Sequence, residues 1–249
     1  VISTKKKLLL LLFLFVILLV GAYSFYYYTS DASSFLTEEE MKQRINPYYL
    51  NSKIEVIQDI ITIDNNHIYV PYITTEGEYA ASYWYYNNRN WEIEYVGTIS
   101  TPHLVSTNPN DPSTFYFVWN LHPADQIKSL EFYLLKRRNY SVSDRIEIYT
   151  PKLQMNFSTP LDEHSYGIVK LSEEFIKVLN DTMKLEAAQF PDFYYNGVFS
   201  SPTTEFAWRA FDHSGKSVYP EHSTTGGGSG GGTLLKYTRY LDDRDPELE

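Results

Sequence analysis

The chain has 249 residues, 43% hydrophobic and 21% charged, with 23 tyrosines, 14 phenylalanines, four tryptophans and no cysteine. That composition excludes a disulfide-stapled miniprotein, a Cys-ligated zinc or iron–sulfur domain, a collagen-like chain and a mostly disordered one. A formal net charge of −10 disfavours a nucleic-acid partner, because affinity for phosphate is built from clustered Lys and Arg. The one basic run, Lys136-Arg137-Arg138, is too short to overturn that balance.

Residues 1–7 read as a basic cytoplasmic stub carrying Lys5, Lys6 and Lys7. Leu8 to Ala22 then carry no charge, and the apolar segment continues through Tyr23 and Phe25 to Tyr28. The 21 residues 8–28 suffice, at ~1.5 Å of helical rise each, to cross a hydrocarbon core of roughly 30 Å. Three of the 21 bases precede this segment and all 31 acids follow it, so the positive-inside rule places the N-terminus in the cytoplasm and the rest outside. The expected location is therefore the cell membrane, single-pass, with the lipid bilayer as a partner through 8–28. A secretory signal cleaved after Ser24 is the alternative, since Leu8 to Ala22 also fits a signal's apolar region and Ala22-Tyr23-Ser24 offers small residues to a peptidase. The aromatics immediately beyond make a poor mature N-terminus, which favours a retained anchor. In its Asn, Tyr, Ile and Lys usage the chain resembles the surface proteins of low-GC Gram-positive bacteria.

Residues 29–50 form a juxtamembrane spacer with a short helix. Thr37 and Glu40 are spaced as a capping box, Leu36 and Met41 as a hydrophobic staple, and Asn46-Pro47 stops the helix after Ile45. The domain proper is 51–224. Period-two patterning predicts strands at 54–63, 67–73, 79–86, 91–99, 114–119, 127–136, 145–150, 152–157 and 166–171. Asp64-Asn65-Asn66 and Asn87-Asn88-Arg89-Asn90 read as hairpin turns, Pro71 as an edge position or bulge, and 101–113 as a long loop. A helix is predicted over 173–189, capped by Ser172, with Ile176, Leu179, Met183, Ala187 and Phe190 on one face. Strands at 193–199, 204–211 and 216–219 follow, the last two joined by an Asp212 to Gly215 turn.

Thr225 to Gly232 holds half of the chain's 12 glycines and reads as a flexible tether, similar in composition to an engineered or tandem-expanded linker. The acidic tail 233–249 contains a strand-like run, Leu234 to Leu241, free or rejoined to a sheet. The pattern as a whole predicts a β-rich α+β fold: an antiparallel sheet or two-sheet sandwich with one long packed helix, preceded by an N-terminal transmembrane helix.

Catalytic signatures are missing: no Gly-x-Ser-x-Gly, no Ser-x-x-Lys, no thiol, and no phosphate-cradling loop. Neither a metal nor a cofactor is expected. The histidines, His67, His103, His122, His164, His213 and His222, are scattered, and Asp162-Glu163-His164 reads as a solvated turn because neighbours in an extended chain point apart. A calcium loop at Asn108 to Asp111 offers too few oxygen ligands. The aromatics are the stronger candidates. Tyr83, Trp84, Tyr85, Tyr86 and Trp91 crowd one hairpin, and Tyr194, Tyr195, Trp208 and Phe211 another. Alternation along a strand exposes some of them unless both sheet faces are covered. Exposed, Tyr83, Trp84, Tyr85, Tyr86, Trp91 and Trp208 would form a patch for a protein partner or a sugar ring.

The expected function is a membrane-anchored extracytoplasmic binding module, on a bacterial surface, for a protein or wall polymer. The alternative is an envelope carbohydrate hydrolase using a carboxylate pair.

Overall fold

The computed structural model describes residues 12–23, 34–143, 146–161, 164–189, 204–230 and 232–248. The first of these segments, 12–23, is a helix, α1, with exposed apolar side chains. Among the described residues no helix is long and apolar enough to cross a membrane. The remainder of 8–28 and the strand expected at 193–199 lie outside the described residues.

Helix α2 (Glu38–Ile45) starts as its sequence dictates. Thr37 Oγ1 accepts the Glu40 N–H, and Glu40 Oε2 accepts the Thr37 N–H at 2.8 Å. This reciprocal pair satisfies two N–H groups that a helix start otherwise leaves open. Met41 and Ile45, four residues apart, are both buried.

The domain is β-rich, with several antiparallel sheets. Strands β1 (Ile54–Ile57), β2 (Ile61–Asp64), β3 (His67–Thr74), β4 (Tyr79–Asn87) and β5 (Asn90–Gly97) make the first sheet. The run expected as one strand over 54–63 is split, and Pro71 explains the split. Ile57 faces Tyr72 and Ile61 faces Tyr69; between them Gln58 N–H still donates to Pro71 O at 3.0 Å, but Pro71 has no N–H to return, and the regular ladder breaks there. Asn88 and Arg89 both take left-handed backbone angles (φ 46° and 64°), as the two-residue turn between β4 and β5 requires.

The second sheet is built from β6 (His103–Ser106), β7 (Phe115–Asn120) and, after a long excursion, β12 (Tyr166–Lys170). The excursion supplies β8 (Ser129–Lys136), β9 (Asn139–Ser143), β10 (Ile146–Thr150) and β11 (Leu153–Pro160). β9 and β10 form a separate two-stranded ladder, while β8 pairs with β11 and with β13 (Thr204–Phe211) in a third sheet. Two of these strands correct the sequence reading. β6 is a buried strand inside the stretch expected as a loop, and β9 falls where no strand was expected.

Side-chain alternation shows how the sheets stack. On β7, Phe115, Phe117 and Trp119 pack with Phe132, Leu134, Phe206 and Trp208 of the third sheet. The intervening Val118 packs with Tyr69, Tyr83 and Tyr95 of the first sheet. The other face of that first sheet, through Val70, Tyr72, Trp84 and Trp91, receives Met41 and Ile45 of α2. The architecture is thus three sheets deep under a helical lid, one layer more than a sandwich, and so each buried strand is apolar on both faces. Helix α3 (Glu173–Gln189) follows β12 and inserts Phe175 and Leu179 between the second and third sheets. Its start is capped by Ser172, whose Oγ accepts the Phe175 N–H at 3.3 Å.

The C-terminal segment crosses the stack and adds one strand to each sheet. After the short helix α4 (Glu221–Thr224), β14 (Gly228–Gly230) pairs with β5, β15 (Leu235–Tyr237) with β6 and β16 (Arg239–Tyr240) with β13. Gly228–Gly230 of the glycine tract therefore form a strand rather than a loose tether. A Cβ on Gly230 would sit 2.2 Å from Glu94 O, and one on Gly228 2.9 Å from the Tyr95 ring. Only a backbone without side chains approaches β5 this closely. Beyond β16, Leu241 and Leu248 cover Tyr133, Leu135 and Ala207 on the outer face of the third sheet.

Candidate functional site

The structure distributes the aromatic residues singled out above over different layers. Trp84 and Trp91 face α2, where Phe35 meets both edge-on at 5.7 and 4.8 Å. Tyr83 faces the second sheet and donates its hydroxyl to Ser106 O at 3.0 Å. Trp208 lies between the second and third sheets, its ring 5.1 Å from Tyr240. All four rings are buried, and a buried ring offers no face to a partner. Tyr85 and Tyr86 are half-buried and, being neighbours on β4, point to opposite sides. Tyr85 donates to Glu92 Oε2 at 2.7 Å, and that bond, with partial burial and the carboxylate's charge, pushes its hydroxyl up to about 12. Tyr86 packs on Trp91 at 5.3 Å. Tyr194 and Tyr195 lie outside the described residues. The Asn108 to Asp111 oxygens hold their own turn, Asn108 Oδ1 accepting Asn110 N and Asp111 Oδ1 accepting Ser113 N, each at 3.0 Å.

A different constellation forms at one end of the stack. The registers of β7 with β12 and of β8 with β11 and β13 bring Asn120, Tyr166, Pro160 and Phe211 to the same end. The adjoining turns carry His122, His164 and His213, and these three line a depression of about 430 Å³ over Leu121, Ile127 and Leu161. A second depression of about 310 Å³, lined by Trp119, Tyr166 and Ile61, shares His164 with the first. His164 stacks on Tyr166 with ring centres 5.2 Å apart and planes 21° apart, and so stands between the two. Burial, the negative charge of Asp59 and a hydrogen bond to that carboxylate raise the Tyr166 hydroxyl above its ordinary value.

Trp119 backs the second depression. Its ring lies against Gly167, where a Cβ would come within 2.3 Å of Cζ2. Its indole N–H is buried and has no hydrogen-bond partner among the described residues. Asn120, fully buried, ties the furrow's floor to the first sheet. The two N–H groups of its Nδ2 are shared among Gln58 Oε1 (2.7 Å), Ala80 O (2.8 Å) and Tyr72 O (3.2 Å), and its Oδ1 accepts from Ser165 Oγ (2.9 Å). Such a saturated buried network fixes the geometry around it.

His122 stacks on His222 of α4, with centroids 5.0 Å apart, and meets the edge of Tyr79 at 4.9 Å. Its Nδ1 accepts the Ala124 N–H at 3.1 Å, so the neutral ring carries its proton on Nε2. At His222, Nδ1 donates to Asp125 Oδ1 at 2.9 Å, on a ring whose side chain is 56% exposed. Burial alone would raise the Asp125 carboxyl, but hydrogen bonds from the side chains and backbone of Ser223 and His222 outweigh it and hold the group below its ordinary value.

The furrow therefore combines the rings of Tyr166, His164 and His122 with the hydrogen-bonding ends of Gln126 and Ser165, the buried Trp119 backing the second depression. No Asp, Glu, Lys or Arg is among its described lining residues. Among the described residues no group of three or more His, Asp or Glu is arranged to hold a metal ion. Along the chain the histidines are scattered. The signal available was that His122, His164 and His213 each sit in a turn at a strand end. Comparisons with protein-family models, with curated proteins and with solved structures found no match to the chain.

Proposed function

We propose that the chain is an extracytoplasmic binding module, anchored through residues 8–28 at a bacterial cell surface, that holds a wall polymer by its sugar rings in the His164–Tyr166 furrow. The observation carrying this reading is the stacked pair His164 and Tyr166, of which His164 lines both depressions and Tyr166 the second. Flat aromatic faces bordered by donors and acceptors, Gln126, Ser165 and the Asp59-bonded Tyr166 hydroxyl among them, suit a ring with an apolar face and hydroxyl edges. The alternative, a hydrolase with paired carboxylates, finds no support there, because neither depression has an acid among its described lining residues.

The test is retention of the full chain, in detergent micelles, on immobilised wall polysaccharide. Tyr166→Ala and His164→Ala are expected to weaken retention by about three- to tenfold each, the scale of a lost ring contact. Retention unchanged in both variants would overturn the proposal.

A further inference from the structure

Strands β9 and β10 continue the β8–β11 ladder in the same register, with two residues on each strand between the pairs Lys136↔Leu153 and Asn139↔Thr150. β13, the third strand alongside, starts with Thr204 opposite Lys136. The hairpin therefore runs on past the end of its sheet, by roughly 20 Å at ~3.4 Å per residue. Among the described residues no other strand pairs with it. It leaves from the end of the ladder opposite the Ser129–Pro160 end, where the histidine furrow lies.

Antiparallel pairing sets Tyr140 directly opposite Tyr149 and Val142 opposite Glu147, and opposed residues share a face. On that face Tyr140, Val142 and Tyr149 stay 59–61% exposed, and neither tyrosine hydroxyl has a partner among the described residues. Arg138, two residues before Tyr140, falls on the same side at the root of the hairpin, while Glu147 lies towards its tip. Both are exposed, and neither forms an ion pair among the described residues. A two-stranded ladder standing alone in water is marginal, and packing on one apolar face is what stabilises it.

We infer that this face binds a second copy of the chain, face to face and end for end. The order of charges selects that occupant: a cation at the root, aromatic rings in the middle and an anion towards the tip make a face complementary to itself once turned through a half circle. Tyr140 and Tyr149 then meet their own counterparts, and the Arg138 end of each copy lies over the Glu147 end of the other, so the ion pair forms twice, as a two-fold interface requires. Closure buries on the order of 700 Å² in total, less than the ~1,200 Å² of a standard interface, which makes the dimer a weak one. On the polymer-binding reading, both furrows stay open at the far ends and two of them engage a repetitive polymer at once.

The test is energy transfer between donor- and acceptor-labelled copies of the full chain in detergent micelles. Arg138→Glu and Glu147→Arg, each alone, are expected to self-associate at least tenfold more weakly than the parent, because like charges then face one another. An equal mixture of the two variants should recover the parent affinity, since each supplies the charge the other has lost. Association through residues 8–28 is indifferent to these changes, so the mixture separates the hairpin from the anchor. Both positions are exposed, and unchanged melting curves verify the fold. A parent that stays monomeric up to about 1 mM, single variants that associate as the parent does, or a mixture no tighter than its components would each overturn the inference. Retention through Tyr166 reads a separate site, so the dimer and the polymer-binding reading fail independently.

Discussion

Ser223 is joined to Asp125 twice, through its N–H at 2.9 Å and its hydroxyl at 2.5 Å, both to Oδ2. The His222 N–H and Nδ1–H take the other oxygen, at 3.0 and 2.9 Å. One carboxylate, its side chain only 2% exposed, thus fastens α4 to the Pro123–Asp125 turn. Asp125→Ala leaves these donors unpaired and is expected to cost about 2–3 kcal/mol, measured by urea denaturation. A loss below roughly 0.5 kcal/mol, within the ordinary range of surface substitutions, would show the clamp to be idle. Because the folded carboxyl lies below its unfolded value of 3.8, its contribution is complete above that pH and disappears as pH falls through the folded value.

His103 sets a second pH dependence in a different window. Its ring is buried beside Tyr95 and Tyr237, and Nδ1 donates to Thr101 O at 2.7 Å. Burial lowers it from 6.5 to about 4, so between those values the unfolded chain takes up a proton that the folded chain refuses. Stability is therefore expected to fall as pH drops from 6.5 to about 4, by on the order of 3 kcal/mol. In His103→Asn that slope should flatten; denaturation midpoints with the same pH dependence as the parent would refute the assignment.

Gly167 and Gly227 give a paired steric test. A methyl group at Gly167 collides with the Trp119 ring, whereas one at Gly227 meets nothing within 4 Å. Gly167→Ala should cost about 1–3 kcal/mol and shift tryptophan emission as the furrow wall moves. Gly227→Ala should do neither, and equal effects of the two substitutions would contradict the packing.

Trp84→Ala is expected to destabilise the fold by about 3–5 kcal/mol, the cost of removing a large buried ring. Polysaccharide retention per folded molecule should stay unchanged. A stable variant with lost retention would return the binding surface to the β4–β5 hairpin.

Helices and tight turns were legible in the sequence because their causes are local. Thr37 and Glu40 lie one helical turn apart, Ser172 directly precedes α3, and the Asn88-Arg89 turn joins adjacent strands. β6 was not, since four residues among prolines and asparagines are too short to establish a period. Nor was β14, because glycine has no side chain with which to announce a strand, and its partner β5 is far away in sequence. Whether the Tyr83 to Tyr86 rings are buried depends on whether both faces of β4 are covered, and the cover comes from α2 and the second sheet, both outside the pattern of β4 itself. The furrow is the least local feature: Trp119, His122, His164, Tyr166 and His213 meet only after three sheets have set their registers.

The crossing of the stack by residues 221–241 has a consequence for assembly during vectorial synthesis. All three ladders await the same late segment, and the Asp125 clamp awaits it too. Until that segment emerges, β5, β6 and β13 present bare rims simultaneously, the condition under which nascent β proteins stick to one another. Its arrival laces them shut in a single event, so maturation is governed by a stretch of chain that contributes little to the apolar interior.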